Sequence, residues 1–509
     1  MAEFFFGVDF GACNLKCVRV DGKKIRPIRL NTNDDGSYHT PTAVFYSKNS
    51  DGSIEKIIGQ TALNRGAAEP ENLAAGLKRK LEIKTWRQFI PTLEREVDAA
   101  EVIGDVFNKI FEMASRTFSE GDTIRAAVTV PVIFSKSQRN LIATAAAKAG
   151  FQVDAVINEA FAAMFAAKNL TDSLNVIFDF GGSTLDVSII QIDGTEINEL
   201  AATGIRLGGL DIDRDILEKI LRPQFASELD ARWHDIENKI EPQLNFARVM
   251  KESVYADEFS DEFCASAITP DENLSKITLR RAEVDEMLER EDYGGKITTL
   301  LDEIFDELSL GADCFGVADV TKIWAVGGSM HIPYFRAVLE NYFGSELFSA
   351  DDYEFDEVED FVDGLEDKYL AVAGGAANFL KQRENFSTTN AIPYRVCYSL
   401  GNILRQGIAR NTPAGFETLY LPLNLAELDE AGWKLDLYQT FGDGADFDDA
   451  AFLESIALNP ALYEKNDVPR LKMKMMRDGR LRLQFCERRL IDDEPELILV
   501  EQHFVKLEA

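Results

Sequence analysis

Cysteine and histidine, which most often build structural zinc sites, are scarce in this chain and scattered along it. The 509 residues hold six cysteines without a Cys-x-x-Cys pair, and four histidines without a His-Glu-x-x-His motif. This pattern favours free, mostly buried thiols in a reducing compartment over a zinc or disulfide scaffold. The sequence also lacks a basic leader and any run of about 18 apolar residues, so we expect no signal peptide, no membrane span and a cytoplasmic location.

Basic residues are also in deficit. The chain carries 54 Lys and Arg against 87 Asp and Glu, a net charge of −33 at pH 7. Such a surface repels nucleic-acid phosphates and anionic lipids, so neither nucleic acid nor a membrane is expected as a partner. Ten of the acids lie within residues 351–367. We expect a solvated surface insertion there, with an acidic binding arm as the alternative.

An internal repeat organises the first part of the chain. Residues 6–20 read as a buried strand, a tight turn after Asp9-Phe10-Gly11, and a second strand; residues 176–190 repeat this order around Asp179-Phe180-Gly181. Two copies 170 residues apart predict a duplicated α/β unit rather than a short-period solenoid. Strand and helix patterns alternate to about residue 384, so residues 1–384 are predicted to form sheets flanked by helices.

The pattern of apolar and polar residues changes after residue 384. Residues 385–391 are polar and aperiodic, as a linker would be. Short alternating runs follow, and the clearest are residues 471–475 and 481–485, with Asp478-Gly479 between them as a hairpin turn. Residues 392–509 are therefore predicted to form a small, mainly antiparallel β-sandwich.

Three glycine-rich turns indicate where chemistry takes place. Glycine lets backbone N–H groups approach a phosphate closely, and Asp9 and Asp179 each stand at a strand end beside such a turn. Mg²⁺ keeps several waters and needs few carboxylates, so this pair suits a hydrated Mg²⁺–nucleotide complex. A third turn, Gly327-Gly328-Ser329, follows the apolar residues 323–326. The competing interpretation is that both aspartates are structural turn residues.

Taken together, the motifs resemble the signatures of the seventy-kilodalton heat-shock chaperone family, within the actin-like ATPase superfamily. The resemblance covers residues 4–382 in order, and residues 398–401 and 408–413 more faintly resemble the family's substrate-binding β domain. It implies two actin-like lobes around a central cleft, and ATP or ADP, Mg²⁺ and K⁺ as cofactors. The segments that carry it are residues 8–11, 72–79, 127–131, 137–139, 157–159, 178–188, 204–209, 325–329 and 375–377.

The resemblance also implies roles for particular residues. Asp9 and Asp179 would hold Mg²⁺ through its water shell, Lys78 would stabilise charge on the γ-phosphate, and Asp186 would position the attacking water. Pro131 and Arg139 match a pair that relays nucleotide state between the family's domains. The catalytic candidates are Lys78, Glu159, Asp179, Thr184 and Asp186. The nucleotide-binding candidates are Asp9, Gly11, Ala12, Cys13, Asn14, Gly181, Gly182, Ser183, Gly208, Gly209, Arg248, Lys251, Gly327, Gly328, Ser329 and His331.

Several positions depart from the family pattern. Two threonines of the first turn are Ala12 and Cys13, a glycine of the second is Ser183, and an arginine that would stack on the base is His331. Of the family's residues on the helix that binds the adenine, only Lys251 is retained. The acid-plus-leucine linker is missing, and no helical lid is recognisable after the β domain. Each lost charge-assisted contact costs about 1.5–3 kcal/mol, which predicts altered nucleotide binding.

Three functions remain open from the sequence. The first is a lidless, ATP-dependent chaperone that binds unfolded or extended peptide segments and is served by a J-domain co-chaperone and a nucleotide-exchange factor. The second is a nucleotide-gated interaction module with slow or absent hydrolysis and one dedicated protein client. The third is a small-molecule kinase of the same superfamily.

Overall fold

The structure is a computed structural model of the chain. It describes residues 3–21, 24–30, 40–81, 83, 85–118, 122–166, 172–224, 240–256, 260–268, 274–309, 315–348, 357–358, 370–383, 385, 387–390, 395–401, 403–408, 418, 420–440, 450–463, 468–476, 480–491 and 494–507.

The first lobe is built on a mixed sheet. Its strands and those of two smaller sheets are β1 (Glu3–Phe10), β2 (Asn14–Asp21), β3 (Lys24–Pro27), β4 (Thr40–Pro41), β5 (Ala43–Lys48), β6 (Ile54–Ile58), β7 (Leu73–Ala75), β8 (Arg87–Ile90), β9 (Arg95–Asp98), β10 (Thr123–Val130) and β11 (Gln152–Asn158). Its helices are α1 (Gln60–Gly66), α2 (Leu77–Lys80), α3 (Ala99–Ala114), α4 (Lys136–Ala149) and α5 (Glu159–Met164). In the main sheet β1 lies between a parallel β10 and an antiparallel β2.

Alternation of side chains along β1 explains how this sheet is covered. Phe6, Val8 and Phe10 are fully buried on one face and join a hydrophobic cluster with Val106 and Ile142 of helices α3 and α4. Because side chains alternate along a strand, Phe5 and Gly7 belong to the opposite face. The sheet is thus covered on both sides, as the α/β prediction requires.

The second lobe repeats the strand arrangement of the first. Its strands are β12 (Ser173–Phe180), β13 (Leu185–Asp193), β14 (Glu196–Ile205), β15 (Glu262–Ile268), β16 (Leu274–Arg280), β17 (Lys322–Val326) and β19 (Ser387–Asn390), whereas β18 (Glu357–Val358) joins the first lobe's sheet beside β3. The helices are α6 (Gly209–Ile216), α7 (Ile240–Ala256), α8 (Arg281–Arg290), α9 (Tyr293–Ser309), α10 (Pro333–Phe343) and α11 (Ala371–Gln382). Strand β12 lies between a parallel β17 and an antiparallel β13, as β1 does between β10 and β2. The α/β class is confirmed, and the repeated motif forms the same hairpin in each lobe.

Helices α5 and α11 pack between the two main sheets. They share one hydrophobic cluster with Val18 of the first sheet and Ile177 of the second. The helices are rich in fully buried alanines, such as Ala162 and Ala376, which let the two sheets approach each other closely. This arrangement brings the turns that follow β1 and β12 to the same end of the molecule.

Residues after 394 form two antiparallel sheets. Their elements are β20 (Arg395–Leu400), β21 (Ile403–Ile408), β22 (Leu421–Pro422), β23 (Lys434–Thr440), β24 (Ala450–Ala457), β25 (Arg470–Met475), β26 (Arg480–Ile491), β27 (Glu494–Lys506) and the helix α12 (Leu425–Glu430). The sheets have the orders β21-β20-β23-β24 and β22-β25-β26-β27, and both contribute to one hydrophobic cluster. The predicted pairing of residues 471–475 with 481–485 is confirmed, whereas its Asp478-Gly479 turn lies outside the described residues. Stacking of the sheets as a sandwich and the boundaries at 384 and 392 stay predictions.

Part of the segment predicted as an aperiodic linker is a strand. Residues Ser387–Asn390 form β19, which pairs in parallel with β14 from Glu196 to Glu199. Without β19 that side of β14 would leave backbone N–H and C=O groups unpaired, and an extended polar segment satisfies them. Of the acidic residues 351–367, only Glu357–Val358 is described, and it pairs with β3. The remainder of that predicted insertion lies outside the described residues.

Candidate functional site

A cavity of about 710 Å³ opens between the two lobes. Most of the predicted site residues line it together, namely Asp9, Gly11, Ala12, Cys13, Asn14, Lys78, Glu159, Asp179, Gly181, Gly182, Ser183, Thr184, Gly209, Arg248, Lys251, Gly327, Gly328, Ser329 and His331. Asp186 and Gly208 do not line it. Asp186 is fully buried behind the wall, and Gly208 packs against the backbone of the second turn.

The first hairpin, β1–β2, brings a carboxylate and an ammonium group to the cavity wall. Asp9 lies directly opposite Lys16 in the strand register, and Lys16 Nζ is 3.0 Å from Asp9 Oδ2. Thr42 anchors the turn between the strands, because its hydroxyl donates to Gly11 O at 2.6 Å and its N–H donates to Cys13 O at 2.8 Å. The turn is therefore held in place before any ligand binds.

The second hairpin, β12–β13, forms the opposite wall. Asp179 lies opposite Asp186 in the register. The turn at Gly181 is fixed from two sides: Gly209 N donates to Gly181 O at 3.0 Å, and Ser329 Oγ donates to the same oxygen at 3.0 Å. The second and third glycine turns and the start of α6 therefore form one hydrogen-bonded unit.

The third turn requires glycine at its first position. Gly327 has φ 92°, and a Cβ there would lie 2.3 Å from Phe180 O. Any other residue would be strained by the positive φ and would push the third turn away from the second. Gly328 and Ser329 then begin a short 3₁₀ helix that ends at His331 and brings their backbone to the cavity.

Lys78 and Glu159 form a buried ion pair at the base of the cavity. Gly76, in the left-handed conformation, lets the chain turn into α2 so that Lys78 faces inward. Burial raises the pKa of Glu159, and the charge of Lys78 opposes that effect. A buried lysine that is already paired is fixed in position, which suits a role toward a phosphate group.

The carboxylates across the cavity raise one another's pKa. The pKa of Asp179 lies well above its ordinary value, mainly through burial and then through the charge of Glu159. Burial and then Glu159 raise the pKa of Asp186 to about 7, although Thr184 and the N–H of Val132 favour its ionised form. Val132 N donates to Asp186 Oδ1 at 2.8 Å. A cation placed among these groups would stabilise their charged forms.

The predicted base-binding residues are held by a carboxylate that the sequence did not reveal. Asp213, fully buried in α6, lies 2.6 Å from Lys251 Nζ and 3.3 Å from Arg248 Nε. Lys251 also donates to Gly209 O at 3.3 Å. The surviving lysine therefore braces the second turn, and Arg248 forms the wall beside it.

Other residues that line the cavity were also missed. Arg336 of α10 lies over the ring of Phe348, with 5.1 Å from its guanidinium carbon to the ring centroid, and Tyr255 of α7 faces the same cavity. They supply flat surfaces suited to a base. No motif marks them, because each comes from a separate element. Lys16, in contrast, follows Asp9 by seven residues, the spacing that also separates Asp179 from Asp186. The sequence repeat therefore did contain a signal for Lys16.

An ion pair joins the two lobes beside the second glycine turn. Arg79 of α2 contacts Asp211 of α6, with 2.9 Å between Arg79 Nη1 and Asp211 Oδ1. The same guanidinium donates to Ser183 O at 3.4 Å. Asp211 in turn accepts from Gly208 N at 2.9 Å, so the pair also holds the start of α6.

The residues present fit a nucleotide with Mg²⁺. Three backbone turns surround a cavity of ligand size, and a lysine and two aspartates, Asp9 and Asp179, face its interior. Within the described residues, no cluster of three or more His, Cys, Asp or Glu side chains could hold a metal directly. Mg²⁺ keeps several waters and needs few protein carboxylates, so Asp9 and Asp179 would hold it through its water shell. Among the described helices, none is long and apolar enough to cross a membrane.

Comparisons with known proteins identify the family of this chain. A family model described as "Hsp70 protein" matches residues 5–358. The chain is 25% identical to the chloroplastic stromal 70 kDa heat shock-related protein of Pisum sativum over 372 residues, which cover 68% of this chain and 50% of that protein. It is 24% identical to the chloroplastic heat shock 70 kDa protein 6 of Arabidopsis thaliana over 68% and 49% of the two chains.

A cyanobacterial relative is similar to the same degree. The chain is 28% identical to chaperone protein dnaK1 of a Nostoc strain over 371 residues, which cover 67% of this chain and 51% of that protein. The chain thus spans about half the length of the curated relatives it matches.

Proposed function

Because this chain belongs to the Hsp70 family, we propose that it is an ATP-dependent chaperone that binds ATP or ADP with Mg²⁺ between its two lobes. In this proposal ATP is hydrolysed in the cleft, and the nucleotide state controls how the C-terminal sheets, stacked as a sandwich, bind extended peptide. A J-domain co-chaperone and a nucleotide-exchange factor are the proposed regulators.

One observation carries the proposal. A single cavity, edged by three glycine turns, is lined by residues from four separate segments of the chain: Asp9, Lys78, Glu159, and Asp179 with Thr184. Phosphoryl transfer asks a protein mainly to position the reactants and to stabilise negative charge. This set of groups supplies both.

Each side chain has a task that follows from its contacts. Lys78, held by Glu159, directs its ammonium group toward the terminal phosphate. Asp186 lies behind the cavity wall and accepts hydrogen bonds from Val132 N and from the Thr184 side chain, so it acts on the attacking water through Thr184, which lines the cavity. Mg²⁺, when bound, supplies the charge that neutralises the phosphate oxygens.

A chain of contacts leads from Asp186 away from the cavity. Val132, whose N–H donates to Asp186, accepts from Arg139 Nη2 at 3.3 Å through its carbonyl. Arg139 also donates to Pro131 O at 3.3 Å and to Asn158 Oδ1 at 2.6 Å. A shift of Asp186 on hydrolysis would therefore be felt by Arg139 and by α4, on which Arg139 lies.

Helix α4 reaches the C-terminal sheets at its first residue. Lys136 N donates to Gln439 Oε1 at 3.2 Å, and Lys136 Nζ donates to Lys506 O at 2.9 Å. The connecting segment also contacts the second lobe through the pairing of β19 with β14. These contacts support coupling of the nucleotide state to the β domain.

A second candidate function has one specific observation in its favour. Cys13 occupies a position where the family has a hydroxyl, and a Cβ on Gly182 would lie 2.4 Å from Cys13 Sγ. Burial raises the pKa of this thiol, and the charge of Arg248 opposes that effect, so the first turn presents a weak, neutral donor to the phosphates. A nucleotide-gated module that hydrolyses slowly or not at all would tolerate this change. A small-molecule kinase is not proposed, because the family assignment favours the chaperone branch.

The test is single-turnover ATP hydrolysis with Mg²⁺, with nucleotide affinity measured in parallel. We expect Lys78→Ala and Thr184→Ala to slow hydrolysis about a hundredfold or more, because each removes a contact that strengthens in the transition state. The matched control is Lys48→Ala, at an exposed position on β5. It should hydrolyse ATP as the wild type does.

The outcomes separate the two candidates. Hydrolysis that is lost in the two variants while nucleotide still binds supports the chaperone. Tight ATP binding without turnover in the wild type supports the gated module. Turnover that survives in both variants would contradict the assigned roles of Lys78 and Thr184.

A further inference from the structure

The two hairpins of the cleft are equivalent in sequence and register but carry opposite charges at one position. Asp9 and Asp179 occupy the same place, and each faces the residue seven positions further along on the next strand. That residue is Lys16 in the first lobe and Asp186 in the second. The first hairpin thus places a cation at the position where the second hairpin places an anion.

Lys16 is oriented toward the cavity by the alternation of β2. Leu15 and Cys17, on either side of it, are buried in the first lobe's core. Lys16 therefore lies on the same face as Asp9, and its side chain lines the cavity with 18% of its surface exposed. Asp9 is its hydrogen-bond partner at 3.0 Å among the residues that the structure describes. An ammonium group has three donors, which leaves two for another acceptor.

The charge balance of the cavity explains why a cation is useful there. Asp9, Glu159 and Asp179 supply carboxylates, and the phosphates of a nucleotide would bring more negative charge. Lys78 is paired with Glu159, so its charge is already shared. Lys16 Nζ lies 3.0 Å from Asp9 Oδ2, and its side chain lines the same cavity. The ammonium group thus adds positive charge within the carboxylate cluster.

A purely structural role explains these observations less well. A buried ion pair seldom stabilises a fold by more than an apolar pair of the same shape would, because both charges lose hydration. An apolar residue would have continued the buried strand. A lysine whose ammonium group lies at the wall of this cavity is explained better if an anion binds there.

We propose that Lys16 is a built-in cation of the nucleotide site, which contacts the phosphates beside Asp9 and takes the place of a bound monovalent metal ion. This inference rests on the proposed nucleotide binding. It replaces the K⁺ that the family resemblance implied, and it assigns to the chain a nucleotide affinity that does not depend on which monovalent cation is in solution.

The test measures ADP affinity in the presence of MgCl₂, in buffers of equal ionic strength that contain either K⁺ or tetramethylammonium. The bulky organic ion cannot enter a carboxylate pocket, whereas K⁺ can. The proteins are the full-length wild type, Lys16→Met, which removes the charge and keeps the length, and Lys48→Met at an exposed site on β5 as the matched control. Circular dichroism and thermal unfolding verify that each variant is folded.

We expect wild type and Lys48→Met to bind ADP within about twofold in the two buffers. Lys16→Met should bind about tenfold more weakly in tetramethylammonium, the size of one charge-assisted contact, and K⁺ should restore part of that loss.

Wild-type affinity that falls severalfold when K⁺ is removed would overturn the inference without use of any variant. Unchanged affinity of folded Lys16→Met in tetramethylammonium would overturn it as well. Wild type that binds ADP in neither buffer would overturn the proposed function and this inference together, an outcome distinct from cation-dependent binding, which overturns the inference alone.

Discussion

Glu199 illustrates how a single buried group ties the stability of this chain to pH. It lies on β14 at 3% exposure and accepts a hydrogen bond from Ser188 Oγ at 2.8 Å. Burial raises its pKa from 4.5 to about 7, against the opposing effects of Ser188, Asn158 and Arg139. The folded state therefore keeps a proton that the unfolded chain has released.

The sign of the resulting pH dependence follows from linkage. As pH rises from about 4.5 to about 7, the unfolded chain gains the free energy of ionising Glu199 and the folded protein does not, so wild-type stability falls. Glu199→Gln lacks this loss. Between about pH 5.5 and about pH 8, the free energy of unfolding of Glu199→Gln should gain about 2 kcal/mol on that of the wild type.

Denaturant unfolding followed by tryptophan fluorescence at several pH values measures this difference, and other titrating groups cancel from it. The control is Glu196→Gln, at an exposed position on the same strand. A constant difference for Glu199→Gln across the window would contradict the buried, protonated carboxylate.

The residues of the cleft differ in how well the sequence predicts them. Asp9 and Asp179 were predicted to face one cleft because each repeats a strand–turn motif, and both line the cavity. Lys16 lies at a repeat position too, but its charge differs from that of its counterpart, so the repeat did not single it out. Asp213 was missed because its importance comes from two cations of another helix, which no local pattern reveals.

At the scale of elements, α4 shows a helix whose start is encoded locally. Ser135 and Gln138 form a capping box, with 2.8 Å from Ser135 N to Gln138 Oε1 and 3.4 Å from Gln138 N to Ser135 Oγ. Such a box satisfies two backbone donors that the first turn of a helix leaves unpaired. The helix thus begins at Lys136, the residue that meets the C-terminal sheets.

Ser135→Ala should lower the free energy of unfolding by about 1 kcal/mol, the usual cost of removing a hydroxyl cap. Denaturant unfolding measures this loss. Thr144→Ala, at an exposed position inside the same helix, should leave stability unchanged or raise it slightly, since alanine is the better helix former. Equal stability of Ser135→Ala and wild type would show that the box does not contribute.

Strand β19 marks the opposite case, an element that its own sequence does not encode. Residues 385–391 are polar and without period, and they predicted a linker. The strand at Ser387–Asn390 exists because β14, almost 200 residues earlier in the chain, offers it an unpaired edge. Pairing between such distant segments depends on the tertiary fold, which a local pattern cannot supply.

At the scale of the whole molecule, the proposed chaperone requires communication between the cleft and the β domain. Lys136→Met removes the bond from Nζ to Lys506 O and leaves the cleft intact. We expect nucleotide affinity to stay at the wild-type value, while the difference in peptide affinity between the ATP and ADP states shrinks about fivefold, the size of a modest coupling energy.

Peptide affinity is measured by fluorescence anisotropy with a labelled extended apolar peptide in each nucleotide state. The matched control is Lys148→Met, at an exposed position near the other end of α4. If both variants keep the full wild-type difference between the two states, the contact of α4 with the β domain does not carry coupling.

The most direct test of the central claim is a calorimetric titration of the full chain with ADP in the presence of Mg²⁺. We expect one site per chain with a dissociation constant of about 10 μM or tighter, which is about −7 kcal/mol of binding free energy. Absence of saturable binding up to about 1 mM ADP, under conditions where the chain is folded, would contradict the claim that the cleft between the lobes is a nucleotide site.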